Sequence, residues 1–181
     1  MPFVCHLSLW FSDPTAQYAL LVRHLQTIKG INALRNAMLV VGVEANLGFE
    51  ANHVLHALRK AGVPHIALHE GAQESVGILT TNPSKELMCV GVQELIDHKR
   101  LVISRQLVSL SASPLETLDT LFKQMNTYTI LVEAPRTPFG KPRRTYTGKV
   151  GGNQDDLCIS LQLAVLSMRI FQKNDKYKRY L

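Results

Sequence analysis

Acidic residues at two places in the sequence could bind a divalent metal ion. Glu44 follows the apolar run Val-Val-Gly-Val, which is typical of a buried strand, and Asp155 and Asp156 open a segment with the apolar periodicity of a helix. Carboxylates at a strand end and a helix start are a common means of binding hard divalent cations. A lone charge at the end of an apolar strand is costly to bury, so Glu44 requires a cation or an exposed cleft. These residues predict a metal-dependent site.

Each acidic position also has a purely structural interpretation. Glu44 could lie at a solvent-exposed strand end beside a lysine or arginine, and Asp155 and Asp156 could stabilise the positive end of a helix dipole. The two aspartates point in different directions at a helix start, so we expect one to contact the metal and its neighbour to support it. The sequence does not distinguish the two.

Basic residues are concentrated in two segments. The chain has 181 residues and a net charge of +6, from 20 Lys and Arg against 14 Asp and Glu. Residues 136–149 interleave cations with aromatic residues, and residues 173–181 form a basic tail. These segments either contact a nucleic-acid backbone or are a solvated loop and a disordered tail. The cations that we assign to DNA are Lys141, Arg143, Arg144 and Lys149.

Length and composition favour one ordinary globular domain. A hydrophobic content of 46% is enough for a core. The apolar runs are shorter than the roughly 20 residues of a membrane span, and the first residues lack a secretory signal pattern. The widely spread Cys5, Cys89 and Cys158 predict reduced core residues of an intracellular protein. The sequence has no zinc-ligand spacing, Walker phosphate loop or nucleophile elbow.

Strand-like and helix-like patterns alternate along the chain, which predicts an α/β sandwich around a mostly parallel or mixed sheet. The predicted strands are residues 4–11, 36–45, 64–69, 76–80, 101–104 and 128–133. The predicted helices are residues 14–28 after a Ser-Asp cap, 48–61, 82–96, 114–125 and 153–171.

Three stretches carry a resemblance to a known family. The first is Val-Gly-Val-Glu-Ala-Asn, and the second is Gly-Ile-Leu-Thr-Thr-Asn-Pro-Ser-Lys, followed by a helix and Lys-Arg-Leu-Val-Ile-Ser. The third is Arg-Thr-Tyr-Thr-Gly-Lys-Val-Gly-Gly-Asn-Gln-Asp-Asp-Leu. In this order they resemble the C-terminal nuclease domain of the large terminase subunit of herpesviruses and their relatives.

The resemblance implies an RNase H-like fold over residues 1–172, a mixed sheet flanked by helices, followed by the basic tail. It implies an endonuclease that cuts concatemeric double-stranded viral DNA with two Mg²⁺ or Mn²⁺ ions, roughly 3.5–4 Å apart. Glu44 would be one ligand and Asp155 or Asp156 another, while Lys85 would approach the scissile phosphate or the metals. The implied partners are the upstream ATPase domain, other packaging subunits and the portal, in the host nucleus.

The sequence departs from the family at one point. The family carries a third acid in an Asp-Pro-Ala-like motif upstream of the strand that residues 4–11 match, whereas Asp13 here precedes a proline at a helix start. We therefore expect a domain that lacks its first strand or strands, cleaves little DNA alone and exposes apolar sheet edges. Two alternatives stay open: a degenerate nucleic-acid-binding module with structural acids, and another RNase H-like nuclease such as a Holliday-junction resolvase.

Overall fold

The computed structural model describes residues 14–45, 50–68, 77–103, 114–135, 137 and 139–180. The chain divides into two compact units, one comprising Met1–Thr80 with Leu163–Leu181 and the other Thr81–Gln162. The α/β class is confirmed, with five α-helices and two small two-stranded sheets in the described part of the chain. The predicted strand at residues 4–11 and the Ser12-Asp13 cap lie outside the described residues.

The first unit contains the parallel pairing that the apolar run predicted. Helix α1 spans Pro14–Gly30, α2 spans Glu50–Lys60, and strands β1 (Val40–Val41) and β2 (Ile66–Ala67) pair in parallel. Helix α1 ends at Gly30, two residues beyond its predicted end. The apolar side of α2 is buried, with Leu55 and Leu58 at most 2% exposed, because its hydrophobic residues recur at helical spacing.

The extended run around β1 is longer than the strand itself. The carbonyls of Leu39, Val41 and Val43 accept hydrogen bonds from the amides of Ile66, Leu68 and Ile78 at 2.8–3.0 Å. Alternate residues of a strand direct their backbone groups to the same edge, so β2 and Ile78 lie along one edge of this run. The run is half-buried, whereas a strand covered on both faces was expected for residues 36–45. Of the segment predicted at residues 76–80, the described residues 77–80 form only a bridge at Gly77 and Ile78, and Val76 lies outside the described residues.

The second unit contains two helices and an antiparallel hairpin. Helix α3 spans Asn82–Asp97 and α4 spans Pro114–Thr127. Helix α3 begins where predicted because Thr81 and Ser84 cap it reciprocally, each side chain bonding the other's backbone amide. Strands β3 (Thr129–Glu133) and β4 (Arg143–Thr147) pair in the register Ile130↔Tyr146 and Val132↔Arg144.

Two predictions for this unit are wrong. The basic segment 136–149 is not wholly a loop, because β4 lies within it and pairs with every residue of β3. Residues 101–103 adopt no regular structure, and Val102 is 83% exposed; a strand forms only where another backbone supplies hydrogen-bond partners. Ser104 lies outside the described residues.

The final helix, α5, spans Asp156–Lys173, and the boundary between the two units falls within it. The basic tail is a 3₁₀ helix, Asp175–Tyr180, rather than the disordered segment considered from composition. Tyr177 is 2% exposed and stacks on Phe171 with ring centroids 5.4 Å apart, which anchors the tail. The assignment of residues 1–172 to one domain stays a prediction.

Candidate functional site

Glu44 lies where the extended run of the first unit ends. Its backbone forms an isolated parallel bridge with Ile78, fixed by the Ile78 amide on Val43 and the Ala45 amide on Ile78. Its side chain is exposed, and the Thr80 hydroxyl donates a hydrogen bond to Oε1 of its carboxylate. The structure thus places the Glu44 carboxylate on the surface, beyond the end of β1, and its role as a metal ligand stays a prediction.

Asp155 is a buried residue in the second unit, only 3% exposed. Its Oδ2 accepts a hydrogen bond from the Gly148 amide at 2.9 Å and one from the Thr147 hydroxyl at 3.5 Å. Its Oδ1 lies 3.8 Å from Nζ of Lys149, an exposed side chain. Both carboxylate oxygens therefore have partners, and all of these partners come from the end of β4 and the residues directly after it.

Gly148 is required at this point by close packing. A Cβ added to Gly148 would stand 2.7 Å from Cβ of Asp155, which is shorter than side-chain packing permits. The chain then turns through Gly151 and Gly152, which have positive φ angles of 67° and 80° that favour glycine. The Gly-Lys-Val-Gly-Gly stretch therefore lets the basic strand pass directly into the acidic helix start.

Asp156 differs from its neighbour in its surroundings. It is the first residue of α5 and is partly exposed, and within the described residues no ion pair involves it. Its place in the first turn suits the positive end of the helix dipole. Of the two aspartates, Asp156 is the one that a metal ion or solvent can reach.

Gln124 is a structural residue of the site that the sequence did not indicate. It lies on α4, is 7% exposed, and its Oε1 accepts hydrogen bonds from the amides of Leu157 at 2.8 Å and Cys158 at 3.0 Å. These are amides of the first turn of α5, which have no partner within their own helix. A glutamine 33 residues away in sequence thus caps the helix, and the Asp155 side chain is used elsewhere.

The predicted DNA-binding cations are all in the second unit and mostly exposed. Lys141 and Arg143 are exposed in and before β4. Arg144 lies 3.9 Å from the Glu86 carboxylate of α3, and both of these side chains are more than half exposed. Such an exposed pair contributes little to stability, so Arg144 stays available to an anionic ligand. Of these four cations, Lys149 has a described contact with a predicted metal ligand, Asp155.

Lys85 lies on α3 beside a polar cluster that consists of Cys89, Tyr128, Cys158 and Gln162. Its side chain is half-buried and its charge acts on the Cys89 thiol, whose pKa is nevertheless raised, chiefly by burial. Burial also raises the pKa of the Cys158 thiol to about 12, with a further contribution from Cys89. The pKa of Tyr128 is raised by burial and by both thiols. The raised pKa values keep both thiols protonated near neutral pH. Cys158 is buried, as predicted for a core residue, whereas Cys89 is only partly buried and Cys5 lies outside the described residues.

Two buried polar atoms of this cluster lack a hydrogen bond of good geometry. They are the Tyr128 hydroxyl and the Oε1 atom of Gln162, although the two side chains lie close enough to interact. The Nε2 atom of Gln162 donates to the Cys158 sulfur at 3.3 Å. The cluster is thus a polar part of the second unit's core.

The donor atoms at the acidic positions suit a hard cation, although no complete ligand set is present. Within the part of the chain that the structure describes, no group of three or more His, Cys, Asp or Glu side chains could hold a metal ion. Glu44 and Asp156 offer carboxylate oxygens, the ligand type that Mg²⁺ and Mn²⁺ prefer. Mg²⁺ is often held by only one or two carboxylates together with water and substrate phosphates, so the donor chemistry fits this ion.

Comparison with known proteins leaves the family open. No protein-family model, curated protein or solved structure matches the chain. Among the described helices, none has the length and apolar character needed to cross a membrane.

Proposed function

We propose that the chain is a nuclease module of the viral DNA-packaging terminase type, which hydrolyses phosphodiester bonds of double-stranded DNA with Mg²⁺ or Mn²⁺. One observation carries this proposal. The Asp155 carboxylate binds the Gly148 amide at 2.9 Å and so holds the end of the basic strand β4 against the acidic start of α5. A nuclease needs this combination, because cations must bind the phosphate backbone beside the carboxylates that hold the metal.

The charges near this junction favour a polyanionic substrate. Lys141, Arg143, Arg144 and Lys149 lie on or beside β4, and each cation that contacts a phosphate contributes to affinity through counterion release. We assign these four residues to the DNA backbone. Lys85 stays a weaker candidate for contact with the phosphate, since its side chain is half-buried on α3.

The surroundings of the two aspartates give them different roles in this proposal. Asp156 would be a metal ligand, because it is partly exposed and forms no described ion pair. Asp155 is a positioning residue, because its two oxygens already bind the backbone and side chains of residues 147–149. Glu44, which lies in the first unit, stays a proposed metal ligand on the strength of the family resemblance, and the Thr80 hydroxyl orients its carboxylate.

Each residue of the proposed site has its own task in the reaction. The bound Mg²⁺ or Mn²⁺ ions would supply an activated water nucleophile and stabilise the leaving oxygen. The exposed lysines and arginines would hold the DNA backbone in place. Asp155 fixes residues 147–149, and the Thr80 hydroxyl holds the Glu44 carboxylate. The proposal includes an RNase H-like fold, which the α/β class and the parallel pairing of β1 with β2 support. The packaging partners and the nuclear location remain part of the same proposal.

A second candidate is a nucleic-acid-binding module without chemistry. It is favoured by the lack of a cluster of three metal-ligating side chains among the described residues. In this case the basic strand would bind DNA without any requirement for a divalent cation.

Paired measurements of metal and DNA binding distinguish these candidates. We expect Mn²⁺ binding, followed by electron paramagnetic resonance, to weaken about tenfold or more in Glu44→Gln and Asp156→Asn but less than threefold in Arg143→Gln. Arg143→Gln should weaken duplex binding. It should also reduce the slope of the logarithm of affinity against the logarithm of salt concentration by about one, the value for one lost phosphate contact. Plasmid cleavage is measured in parallel with both ions.

Three results would contradict or redirect the proposal. DNA binding that is indifferent to Mg²⁺ and Mn²⁺ and unchanged in Asp156→Asn would show the binding module. A strong preference for four-way junctions over linear duplex would show a resolvase. If neither DNA nor Mn²⁺ binds at all, both candidates fail.

A further inference from the structure

An aromatic ring projects from the loop that joins β3 to β4. Phe139 is 101% exposed, the largest exposure of any large hydrophobic residue among those that the structure describes. The loop turns tightly here, because the Gly140 amide donates to the Thr137 carbonyl at 2.9 Å. A Cβ on Gly140 would stand 2.9 Å from the Thr137 hydroxyl, so the turn has little space for a larger residue. The ring therefore points away from the unit's own core.

The hairpin that carries Phe139 is basic. Residues 129–149 contain five lysines and arginines and a single acid, Glu133, which lies opposite Arg143 in the register of the two strands. Lys141 and Arg143 are exposed on the chain immediately after the ring. An exposed ring that is followed closely by cations suits a ligand with both an apolar surface and negative charge, and nucleic acids have both features.

The two kinds of DNA differ in what they offer to this ring. In an intact duplex the faces of the bases are covered by their neighbours, and a phenylalanine has no group that could hydrogen-bond to the base edges. In single-stranded or distorted DNA the faces are accessible, and every base can stack on an aromatic side chain. The free energy of stacking is thus available only for unstacked bases.

We infer that Phe139 stacks on an exposed nucleobase, so that the β3–β4 hairpin selects DNA with unstacked bases over intact duplex. This inference rests on the proposed function, because it takes nucleic acid as the ligand. The cations after the ring bind the phosphates on either side of the stacked base. A substrate with a locally opened strand is therefore the form of DNA that this hairpin fits best.

The charges around the ring argue against an apolar protein pocket as its partner. Seating Phe139 in such a pocket would bring Lys141 and Arg143 to the rim and remove water from them without supplying anions. A strand of nucleic acid instead provides a phosphate for each cation. A protein partner is a separate possibility, and the experiment below would reveal it.

The test compares three fluorescent oligonucleotides of one sequence with the full chain: single strand, duplex with a central unpaired bubble, and intact duplex. We expect Phe139→Ala to weaken binding of the single strand and the bubble about tenfold, and of the intact duplex less than twofold. Phe139→Trp should retain the preference. Arg143→Gln, the matched control, should weaken all three substrates to a similar extent, because it removes a phosphate contact.

Photo-crosslinking provides an independent readout of the stacked base. An oligonucleotide with 5-iodouracil in the bubble should crosslink to residue 139, identified by mass spectrometry, and the crosslink should disappear in Phe139→Ala. Equal losses on all three DNAs, or a crosslink elsewhere, would overturn the inference and leave the proposed function standing. If the wild-type chain binds none of the DNAs, the proposed function itself fails, and a protein ligand for this hairpin becomes the better explanation.

Discussion

The unequal surroundings of the two adjacent aspartates lead to a sharp stability prediction. Asp155→Asn keeps an acceptor for the Gly148 amide, but it loses the charge that strengthens this bond and faces Lys149 with an amide group. A hydrogen bond to a charged group is worth about 1.5–3 kcal/mol, against about 1 kcal/mol for a neutral one. The ion pair with the exposed Lys149 adds at most about 1 kcal/mol. We therefore expect Asp155→Asn to lower the free energy of unfolding by about 2 kcal/mol.

Asp156→Asn is the matched control, because it makes the same chemical change one residue along. Asp156 interacts mainly with the helix dipole, which is worth about 0.3–1 kcal/mol near a helix end, so we expect a loss of about 0.5 kcal/mol. Both variants should be unfolded with urea, followed by circular dichroism in EDTA, so that no divalent ion contributes. The contrast between the variants, about 1.5 kcal/mol, is larger than the usual error of such measurements.

Hydrogen exchange gives a local measure of the same effect, which is useful because the chain divides into two units and need not unfold in one step. The Gly148 amide should exchange about 30-fold faster in Asp155→Asn, the ratio that corresponds to 2 kcal/mol, and should be nearly unchanged in Asp156→Asn. If the two variants lose equal stability, or if Asp156→Asn is the more damaging, the assignment of Asp155 as the positioning residue is refuted.

Two further predictions concern the helix cap and the buried thiol. Gln124→Ala should lower the free energy of unfolding by about 2 kcal/mol, since the amides of Leu157 and Cys158 lose their acceptor, while Gln124→Glu keeps an acceptor and should cost less than about 1 kcal/mol; equal urea midpoints for the two variants would show that Gln124 is not the cap. The Cys158 thiol should resist iodoacetamide at pH 8 in the native state and react in urea, as mapped by mass spectrometry, because burial raises its pKa to about 12. The unfolded chain releases this proton near pH 9 and the folded chain only near pH 12, so stability should fall as pH rises through this interval, by at most about 1.4 kcal/mol per pH unit. Rapid native labelling of Cys158 would contradict its burial.

The helices could be predicted closely because their signals are local. The start of α3 was predicted at residue 82, beside the Thr81 and Ser84 residues that cap it in the structure, and α1 was predicted to end at residue 28, close to its observed end at Gly30. Capping residues lie within a few positions of the helix end that they stabilise, so a reader of the sequence sees both partners together. The start of α5 was expected at residue 153 and lies at Asp156, and its cap, Gln124, is remote along the chain.

The strands were harder to predict because their partners are distant in sequence. The stretch Arg-Arg-Thr-Tyr-Thr contains one aromatic and no aliphatic residue, and only its pairing with β3 makes it a strand. The apolar residues 101–103 show the reverse case, in which strand-forming side chains have no described backbone to pair with. Strand propensity reflects packing against neighbours more than an intrinsic preference of the backbone.

The sequence alone determined which residues could do chemistry here: the carboxylates Glu44, Asp155 and Asp156, and the basic segment before the last helix. These follow from residue type and order, which no folding alters. Only the tertiary structure decided that Asp155 is enclosed by the end of β4 and that Asp156 remains accessible. It also decided that Gln124, 33 residues away, caps their helix. The reason is physical: the environment of a side chain is set by atoms that the fold brings beside it, and these atoms are remote along the chain.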